Sequence, residues 1–468
     1  MDFSRREFLR GSAACGAMTA FGGCQTPLGV PLVGRPSPEQ LLWQEQELGM
    51  FFHFDIPVFK PGWKWRTFKD FPAPDLYNPA KMDTDQWMEA AKAMGAKYVV
   101  FVAKHCSGFL QWQSDLYPYG VRQSKWRDGK GDVVKMFTDS ARKYGLKPGL
   151  YASVSANGWW GVDNPGLVNR GKGGDPEAQR RYAKVCEGMA TELWSRYGDL
   201  FEIWFDGGAL APEKGGPDLM PILEKYQPHA ILFQGPKSSR NLIRWIGNER
   251  GVAPYPCWSS TNMITQEGGD RESRFPGHPD GSLWAPGECD VPIRNHAWFW
   301  GENEGKWRYW TDEELLDKYY RSVGRNCNLL LNANPGPDGL VPVRDIEQYR
   351  RFGDMIRRRF AYPLGVTSGE GDVVELRFPA ATEVNQIVLQ EDLRDGHRIR
   401  KYVIEGEMAD GGVKALCDGS CIGHKRIQTF DPVAVKSLRL RVAASTDKPL
   451  VTNFSAFDSR GPHANAIT

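Results

Sequence analysis

The feature that most constrains the fold is an alternation of short apolar runs and helical segments between Leu48 and about Arg359. The apolar runs have the length and composition of buried strands, and four of the segments between them have helical periodicity. Asp or Thr begins each of these four segments and Gly closes three of them, as expected for helix caps. The seven apolar runs are LGMFFHF, KYVVFVA, LKPGLYASV, FEIWFD, AILFQ, IRWIGN and NLLLN.

Strands that alternate with helices at this spacing predict a parallel sheet. Seven candidate strands between residues 48 and 359 suit an α/β fold of the closed (β/α)8 barrel type, with one strand unrecognised. An open, doubly wound sheet is the alternative. It is less favoured because no glycine-rich phosphate-binding fingerprint follows the first strand. We place the barrel at residues 38–361.

From residue 362 to residue 468 the pattern changes. Short alternating strands such as DVVELRF and AVKSLRLRVAA are separated by Gly, Asp and Pro turns, and no helical segment interrupts them. This texture predicts a β-sandwich domain that packs on the barrel and contributes no catalytic residue.

The first 25 residues read as a targeting segment. Arg5 and Arg6 form a twin arginine, and the mildly apolar stretch after them is too short for a membrane-spanning helix. We therefore expect export by the twin-arginine route to the periplasm or the cell surface. Small residues before Cys24 resemble a lipoprotein cleavage site, but Phe21 stands where an aliphatic residue is usual. The sequence leaves open whether Cys24 carries a lipid anchor to the membrane.

Cysteine spacing and charge exclude some classes of function. The seven cysteines beyond Cys24 show no zinc-binding spacing, so we expect no metal and no cofactor. The nearest pair, Cys417 and Cys421, could form a disulfide across a small turn, and the odd number leaves at least one thiol free. A net charge of +2 without a basic tract beyond the N-terminus argues against a nucleic-acid partner.

Polar or ionisable groups stand at the ends of several apolar runs. In a barrel, the carboxyl ends of the strands meet on one face, where chemistry takes place. These endings are His53 to Asp55, Lys104 to His105, Asp206, and Asn248 to Glu249.

Two carboxylates stand out among these endings, Asp206 and Glu249. Hydrolysis of a glycosidic bond requires one carboxylate as nucleophile or base and one carboxylic acid as proton donor. Trp204 lies two residues before Asp206 and therefore shares its face of the strand, where an indole could stack on a sugar ring. The two glycines after Asp206 would let a substrate approach without a Cβ clash.

Longer stretches of the chain resemble glycoside hydrolase family 29, the retaining α-L-fucosidases, from about Glu45 to Phe457. The resemblance rests on LGMFFHF, AKYVVFVAKHCSGFLQW, YGDLFEIWFDGG, IRWIGNERG and SVGRNCNLLLNANPGPDGLV. The motifs WIGNERG and APGECDVPIR are similar to the branch that prefers α-1,3- and α-1,4-linked fucose on branched glycans. The resemblance implies an exo-acting hydrolase of oligosaccharides or glycoconjugates.

The resemblance also implies residue roles. Asp206 is expected to be the nucleophile and Glu249 the acid/base. Substrate contacts are expected from His53, Trp65, His105, Trp204 and Glu288, although a salt bridge at the rim is an equal interpretation of Glu288.

The chain departs from the family pattern at two places that contact the sugar. His105 is followed by Cys106 where the family usually has a second histidine, and Trp63 and Trp65 stand without the usual glutamate partner. A thiol is a poor substitute for an imidazole donor to a hydroxyl group. The alternatives are therefore a hydrolase of α-L-galactosides or modified fucose, and a non-catalytic carbohydrate-binding protein on the same scaffold.

Overall fold

The structure is a computed structural model that describes residues 34–169, 175–262, 275–301 and 308–460. The expected targeting segment at residues 1–25, with Cys24, lies outside the described residues. Within the described ranges, none of the helices combines the length and apolarity that crossing a membrane requires.

Eight parallel strands close into a barrel in which each strand pairs with its neighbours in sequence, and the last pairs with the first. This confirms the predicted (β/α)8 fold. The strand that the sequence did not reveal is the seventh, GECDVP, because it carries two carboxylates instead of an apolar run. The strands are β1 (Leu48–Phe52), β2 (Tyr98–Lys104), β3 (Lys147–Ala152), β4 (Glu202–Trp204), β5 (Ile231–Phe233), β6 (Leu242–Trp245), β7 (Gly287–Pro292) and β8 (Cys327–Ala333).

Helices pack around the outside of the barrel. The four helices expected from the sequence begin at the predicted caps, whose side chains accept hydrogen bonds from the first turn: Asp83, Asp132, Asp175 and Thr311. The link from β5 to β6 is too short for a helix. The helices are α1 (Pro38–Gln44), α2 (Thr84–Met94), α3 (Val133–Lys143), α4 (Pro176–Arg196), α5 (Met220–Tyr226), α6 (Asp312–Arg321) and α7 (Val343–Phe360).

Short elements complete the loops at the ends of the barrel. Two small antiparallel pairs join Val162–Asp163 to Leu167–Val168 and Ser260–Thr261 to Leu283–Trp284. Single 3-10 turns lie at Ile56–Phe59, Trp65–Thr67, Pro74–Leu76, Val121–Gln123, Trp126–Gly129 and Pro212–Lys214.

The barrel interior is filled by inward-facing side chains of alternate strand positions. Apolar and aromatic members of this inner cluster include Phe51, Tyr98, Trp204 and Leu330. Outward-facing residues of the same strands instead join the larger core between strands and helices. The inner side chains form the floor beneath the open end of the barrel.

After α7 the chain forms a six-stranded antiparallel sheet with its own apolar core, as expected for the predicted β-sandwich. It packs on the barrel: Ile427 and Phe457 join the barrel core, and Lys425 forms an ion pair of 2.5 Å with Glu47. The strands are β9 (Gly365–Glu370), β10 (Val373–Glu391), β11 (Ile399–Met408), β12 (Val413–Gly419), β13 (Arg426–Ser445) and β14 (Leu450–Phe457), in the order β9-β14-β10-β13-β11-β12.

All seven cysteines of the described residues are free thiols. The possible bridge between Cys417 and Cys421 is therefore not formed in the structure. Cys417 lies in β12, whereas the thiol of Cys421 points to the barrel and donates to the carbonyl of Cys257 at 3.1 Å.

Candidate active site

A cavity of about 280 Å³ opens at the carboxyl ends of the barrel strands. Six aromatic rings and two imidazoles form much of its wall, and three carboxyl groups reach it. This combination suits a small ligand that has both an apolar face and several hydroxyl groups. The lining residues are Phe51, His53, His105, Tyr151, Asn164, Trp204, Asp206, Gly207, Phe233, Gln234, Trp245, Glu249, Asp290 and Trp298.

Asp206 lies just beyond the end of β4, where the strand delivers its carboxylate to the cavity. The hydroxyl of Tyr151 donates to Asp206 Oδ2 at 3.0 Å. Burial raises the pKa of Asp206, while the Tyr151 hydrogen bond and the charges of Arg66 and Lys104 oppose that rise. The site therefore holds a partly buried carboxylate whose ionised form is supported by its neighbours.

The backbone itself requires the two glycines after Asp206. Gly207 and Gly208 both adopt left-handed φ angles, 71° and 77°, which favour glycine. A Cβ atom on Gly207 would also lie 2.5 Å from the amide nitrogen of Asn164. These residues are glycines because the backbone turns sharply here, and an open approach for a substrate follows from that turn.

Glu249 reaches the cavity from the loop that follows β6. Glu249 is exposed to solvent, and the indole nitrogen of Trp298 donates a hydrogen bond to Glu249 Oε2 at 3.1 Å. Trp298 in turn packs against the ring of His53 at 4.9 Å. Glu249 is thus oriented by an aromatic wall residue while it keeps access to solvent, as a group that exchanges protons with water must.

Asp290, on β7, is a third carboxyl group in the cavity, and the sequence did not single it out. It accepts a hydrogen bond of 2.7 Å from the indole nitrogen of Trp245. Burial, with the negative charge of Glu249 as the next cause, holds the pKa of Asp290 well above its usual range. These surroundings favour the protonated form of Asp290, which can donate a hydrogen bond to a ligand.

His53 is buried in the cavity wall, and its protonation is set by its neighbours. Asn332 uses its amide nitrogen to donate to the carbonyl of Trp298 at 2.9 Å, which leaves its oxygen to accept from His53 Nδ1 at 2.6 Å. Burial lowers the pKa of His53 to about 3, so the imidazole is neutral. Its Nε2 is then an acceptor, which suits a hydroxyl group of a ligand.

His105 also lines the cavity, stacked on Tyr151 with ring centroids 5.7 Å apart. Burial holds its pKa well below the usual range. Cys106 is buried behind this wall and is not among the lining residues. The side-chain nitrogen, sulfur and oxygen atoms of His105, Cys106 and Asp206 lie within 4.8 Å of one another, and such a group could hold a metal ion. The spacing of these residues in the sequence did not indicate this group.

Two of the expected substrate-binding residues do not line the cavity. Trp65 lies in a half-exposed 3-10 turn, where Arg66 covers its ring at 4.8 Å. Glu288 is fully buried inside the barrel, where it accepts hydrogen bonds from Tyr98 at 2.6 Å and from the indole of Trp204 at 2.9 Å. Glu288 therefore forms neither the expected contact in the cavity nor a salt bridge at the rim, because its position on β7 lies one layer below the cavity.

Trp204 does line the cavity, as expected, but only part of its surface is available. Phe233 stacks on one face of the indole at 3.7 Å and 6°. The hydrogen bond to Glu288 fixes the edge of the same ring. The cavity residues Tyr151, Trp245 and Trp298 had no sequence signal beyond their aromatic character.

Carboxyl groups beyond β4 and β6, in an aromatic cavity at the mouth of a (β/α)8 barrel, are typical of a glycosidase. The comparisons with known proteins agree. The family model for alpha-L-fucosidase matches residues 32–359, and the model for the twin-arginine signal sequence matches residues 2–22.

Individual relatives extend the match over nearly the whole chain. The rice (Oryza sativa subsp. japonica) protein designated alpha-L-fucosidase 1 is 32% identical, over 92% of this chain and 86% of its own. The Arabidopsis thaliana alpha-L-fucosidase 1 is 30% identical, over 90% and 87%. A crystal structure from Bacteroides thetaiotaomicron with an α-L-fucosidase designation has a TM-score of 0.83 at 39% identity, covering 91% of this chain and 99% of its own. The chain belongs to the α-L-fucosidase family and is a glycosidase.

Proposed function

We propose that this protein releases terminal α-linked L-fucose with Asp206 as nucleophile and Glu249 as acid/base. In the first step, Asp206 attacks the anomeric carbon and forms an ester, while Glu249 gives its proton to the departing oxygen. In the second step, Glu249 takes a proton from water, which attacks the same carbon and frees Asp206. Two displacements retain the anomeric configuration.

The observation that carries this proposal is that both carboxyl groups line one small cavity from different surroundings. Asp206 lies in the wall, supported by Tyr151 and by nearby positive charge. Glu249 is exposed, at the side where a leaving group and water would arrive. Retaining pairs lie roughly 5–5.5 Å apart. A structure with a bound fucose analogue is expected to place the two carboxyl groups at that separation.

The size and polarity of the cavity support an exo-acting enzyme. A volume of about 280 Å³ above a packed barrel interior suits one terminal sugar. Aromatic rings face the apolar side of such a sugar, while His53, His105 and Asp290 offer polar groups to its hydroxyls. The motifs WIGNERG and APGECDVPIR favour α-1,3- and α-1,4-linked fucose as the natural substrate.

An α-L-galactoside is the second candidate substrate, and the position of Cys106 bears on it. Cys106 stands where the family usually has a histidine, and its thiol is buried and is not among the lining residues of the cavity. The described lining therefore lacks that imidazole donor. Parallel assays of aryl α-L-fucoside and aryl α-L-galactoside, with wild type and Cys106→His, separate the two substrates.

We also propose that the protein acts in the periplasm or at the cell surface. The match to a twin-arginine signal supports export across the membrane. A lipid at Cys24 would hold the mature protein on the membrane. Mass spectrometry of the mature N-terminus distinguishes the anchored form from the free form.

The test of the catalytic pair uses azide as an added nucleophile. Asp206→Ala is expected to lose several orders of magnitude in kcat, because no ester can form. Azide added to Asp206→Ala gives the inverted glycosyl azide. Glu249→Ala keeps the first step on an aryl substrate with a good leaving group, and azide then attacks the ester without a base to give the retained product.

Asp290→Asn is the matched control, because it changes a carboxyl group in the same cavity without removing either proposed catalytic group. It is expected to show no azide effect. Near-normal turnover of Glu249→Ala on a substrate with a poor leaving group, without an azide effect, would contradict the assignment of Glu249.

A further inference from the structure

Three side chains at the wall of the catalytic cavity bring a nitrogen, a sulfur and an oxygen ligand together. The ligand atoms of His105, Cys106 and Asp206 all lie within 4.8 Å of one another. Two strand ends supply them, since His105 and Cys106 follow β2 and Asp206 follows β4. The proposed hydrolysis uses Asp206 and needs no thiol. The group as a whole therefore calls for a second explanation.

The backbone of the two adjacent ligands is held in place by hydrogen bonds from other loop residues. The carbonyl of His105 accepts from the backbone nitrogen of Gly108 at 3.1 Å. The carbonyl of Cys106 accepts from the backbone nitrogen of Gly158 at 2.7 Å. The loop after β3 thus fixes the turn after β2. Both side chains are therefore presented from a backbone that is already ordered.

Tyr151 fixes Asp206 relative to this turn. It lies on β3, which is the strand between β2 and β4 in the barrel. Its hydroxyl donates to Asp206 Oδ2 at 3.0 Å, and its ring stacks on His105 at 5.7 Å and 15°. Because Tyr151 binds Oδ2, the other oxygen of Asp206 is left to bind an ion. One aromatic residue therefore positions two of the three ligands.

The donor set is that of a zinc site. Imidazole nitrogen, thiolate sulfur and carboxylate oxygen are the ligands that zinc takes in proteins, and three protein ligands leave the fourth position open. A sulfur ligand disfavours magnesium and calcium, which prefer oxygen. At zinc bond lengths of about 2.0–2.3 Å, tetrahedral ligand atoms lie about 3.4–3.6 Å apart. The partly exposed side chains of His105 and Asp206 need to move by only about 1 Å to reach that spacing.

The charges around the group favour an ion that binds reversibly. The Cys106 thiolate and the Asp206 carboxylate together balance the two positive charges of zinc. Arg66 and Lys104 lie near Asp206 and oppose the approach of a cation. The Lys104 ammonium is engaged by the carbonyls of Ser153 and Ala156. We therefore expect an ion in exchange with solvent instead of a permanently resident cofactor.

We propose that His105, Cys106 and Asp206 form a zinc-binding site through which zinc reversibly inhibits the enzyme. On binding, the Cys106 thiol releases its proton to water and the thiolate sulfur binds the ion. An Asp206 carboxylate that is bound to zinc cannot attack the anomeric carbon, and the ion occupies the wall where the sugar would lie. The inhibition rests on the proposed function, whereas the binding of zinc does not.

Cobalt(II) is the probe for binding, because it occupies zinc sites and absorbs in the near ultraviolet when a thiolate binds it. The wild type should show this charge-transfer band, saturating at one equivalent of cobalt, and zinc should abolish it. Cys106→Ser should lack the band. Cys186→Ser is the matched control, because Cys186 is also a buried free thiol of the barrel domain and lies outside the group. It should keep the band.

Inhibition is measured with zinc in the hydrolysis of an aryl α-L-fucoside. Zinc should raise the apparent KM of the wild type and leave kcat unchanged, and EDTA should restore the original rate. Cys106→Ser should raise the inhibition constant for zinc at least about tenfold, since even the loss of a contact behind a metal ligand costs that much affinity. Cys186→Ser should be inhibited like the wild type. Each variant is compared with its own metal-free rate.

Equal cobalt bands in the wild type and Cys106→Ser, or equal inhibition of the two by zinc, would overturn the proposal. Activation by zinc would overturn it as well.

X-ray absorption at the zinc edge keeps the test decisive if Cys106→Ser does not fold, because it needs only the wild type. The zinc-loaded protein should show one sulfur at about 2.3 Å, with nitrogen and oxygen at about 2.0–2.2 Å. A shell without sulfur, or with two or more sulfur atoms, contradicts the assigned ligands. Failure of the metal-free wild type to hydrolyse the fucoside would instead contradict the proposed function, while the cobalt band would still report on the metal site.

Discussion

Replacement of Glu288 is expected to destabilise the barrel without removing a catalytic group. Glu288 is a conspicuous glutamate near the site, and it would be the next acid/base candidate if Glu249 failed. The structure instead buries it fully, with Tyr98 and Trp204 donating to its two oxygens. Below it, Glu202 accepts a hydrogen bond of 2.9 Å from the indole of Trp43.

The size of the effect follows from these contacts. Glu288→Leu keeps most of the side-chain volume but leaves the Tyr98 hydroxyl and the Trp204 indole without their acceptor. Each orphaned donor costs about 1–3 kcal/mol, so the expected loss of unfolding free energy is about 2–6 kcal/mol. Glu288→Gln keeps one acceptor oxygen and should lose about half as much.

The loss should also depend on pH. Burial raises the pKa of Glu288 from 4.5 to about 7, so the fold favours the protonated carboxyl. A raised carboxyl pKa stabilises the fold fully below the unfolded value, and this contribution disappears as pH rises through the folded value. Glu288→Leu lacks the group, so its deficit should be largest near pH 4.5 and smaller at pH 8.

Urea unfolding at pH 4.5 and pH 8, followed by tryptophan fluorescence, measures both quantities. Asp290→Asn is the control on the same strand, since asparagine can still accept from Trp245 and the stability should change little. Aryl fucoside hydrolysis by Glu288→Gln, with and without azide, supplies the second readout. A stable Glu288→Leu, or azide rescue of Glu288→Gln, would refute this account of the buried network.

The remaining predictions concern the nucleophile, the thiol beside it and export. Tyr151→Phe removes the hydrogen bond that opposes the raised pKa of Asp206, so the acidic limb of the kcat/KM profile should move to higher pH; an unmoved limb would contradict that role. Burial raises the pKa of Cys106 to about 12, so iodoacetamide should leave activity intact at pH 7.5; rapid inactivation that Cys106→Ser abolishes would show a reactive thiol. Arg5→Lys combined with Arg6→Lys should retain the protein in the cytoplasm on fractionation, and normal export would refute the signal assignment.

The sequence was informative where structure depends on local chemistry. Asp83, Asp132, Asp175 and Thr311 cap helices as expected, because a short acceptor side chain before an amphipathic run satisfies free amides wherever the helix packs. Apolar runs found seven of the eight barrel strands. β7 escaped because its inward positions hold Glu288 and Asp290, so its pattern resembles a loop.

The site was harder to predict. How deep a side chain lies in the barrel depends on its position along a tilted strand, and that position leaves no pattern in the local sequence. Glu288 and Asp290 are two residues apart and share a face, yet one lies inside the barrel and the other lines the cavity. The sequence selected Glu288, whereas Asp290 is the member of the pair that lines the cavity. Trp65 shows the same limit for a loop, since its side-chain position depends on contacts such as the Arg66 side chain over its ring.

The surroundings of the carboxyl groups distinguish two aspartates that the sequence alone does not distinguish. Asp206 and Asp290 both lie at the mouth of one barrel, Asp206 partly exposed and Asp290 buried, and burial raises the pKa of each. Asp206 lies near Arg66 and Lys104, which favour its ionised form, whereas Asp290 lies near Glu249, which disfavours it. A nucleophile must be ionised when the substrate arrives, so the surroundings of Asp206 suit the proposed nucleophile better than those of Asp290. The protonated form that burial favours at Asp290 would suit a hydrogen-bond donor to the sugar in the proposed reaction.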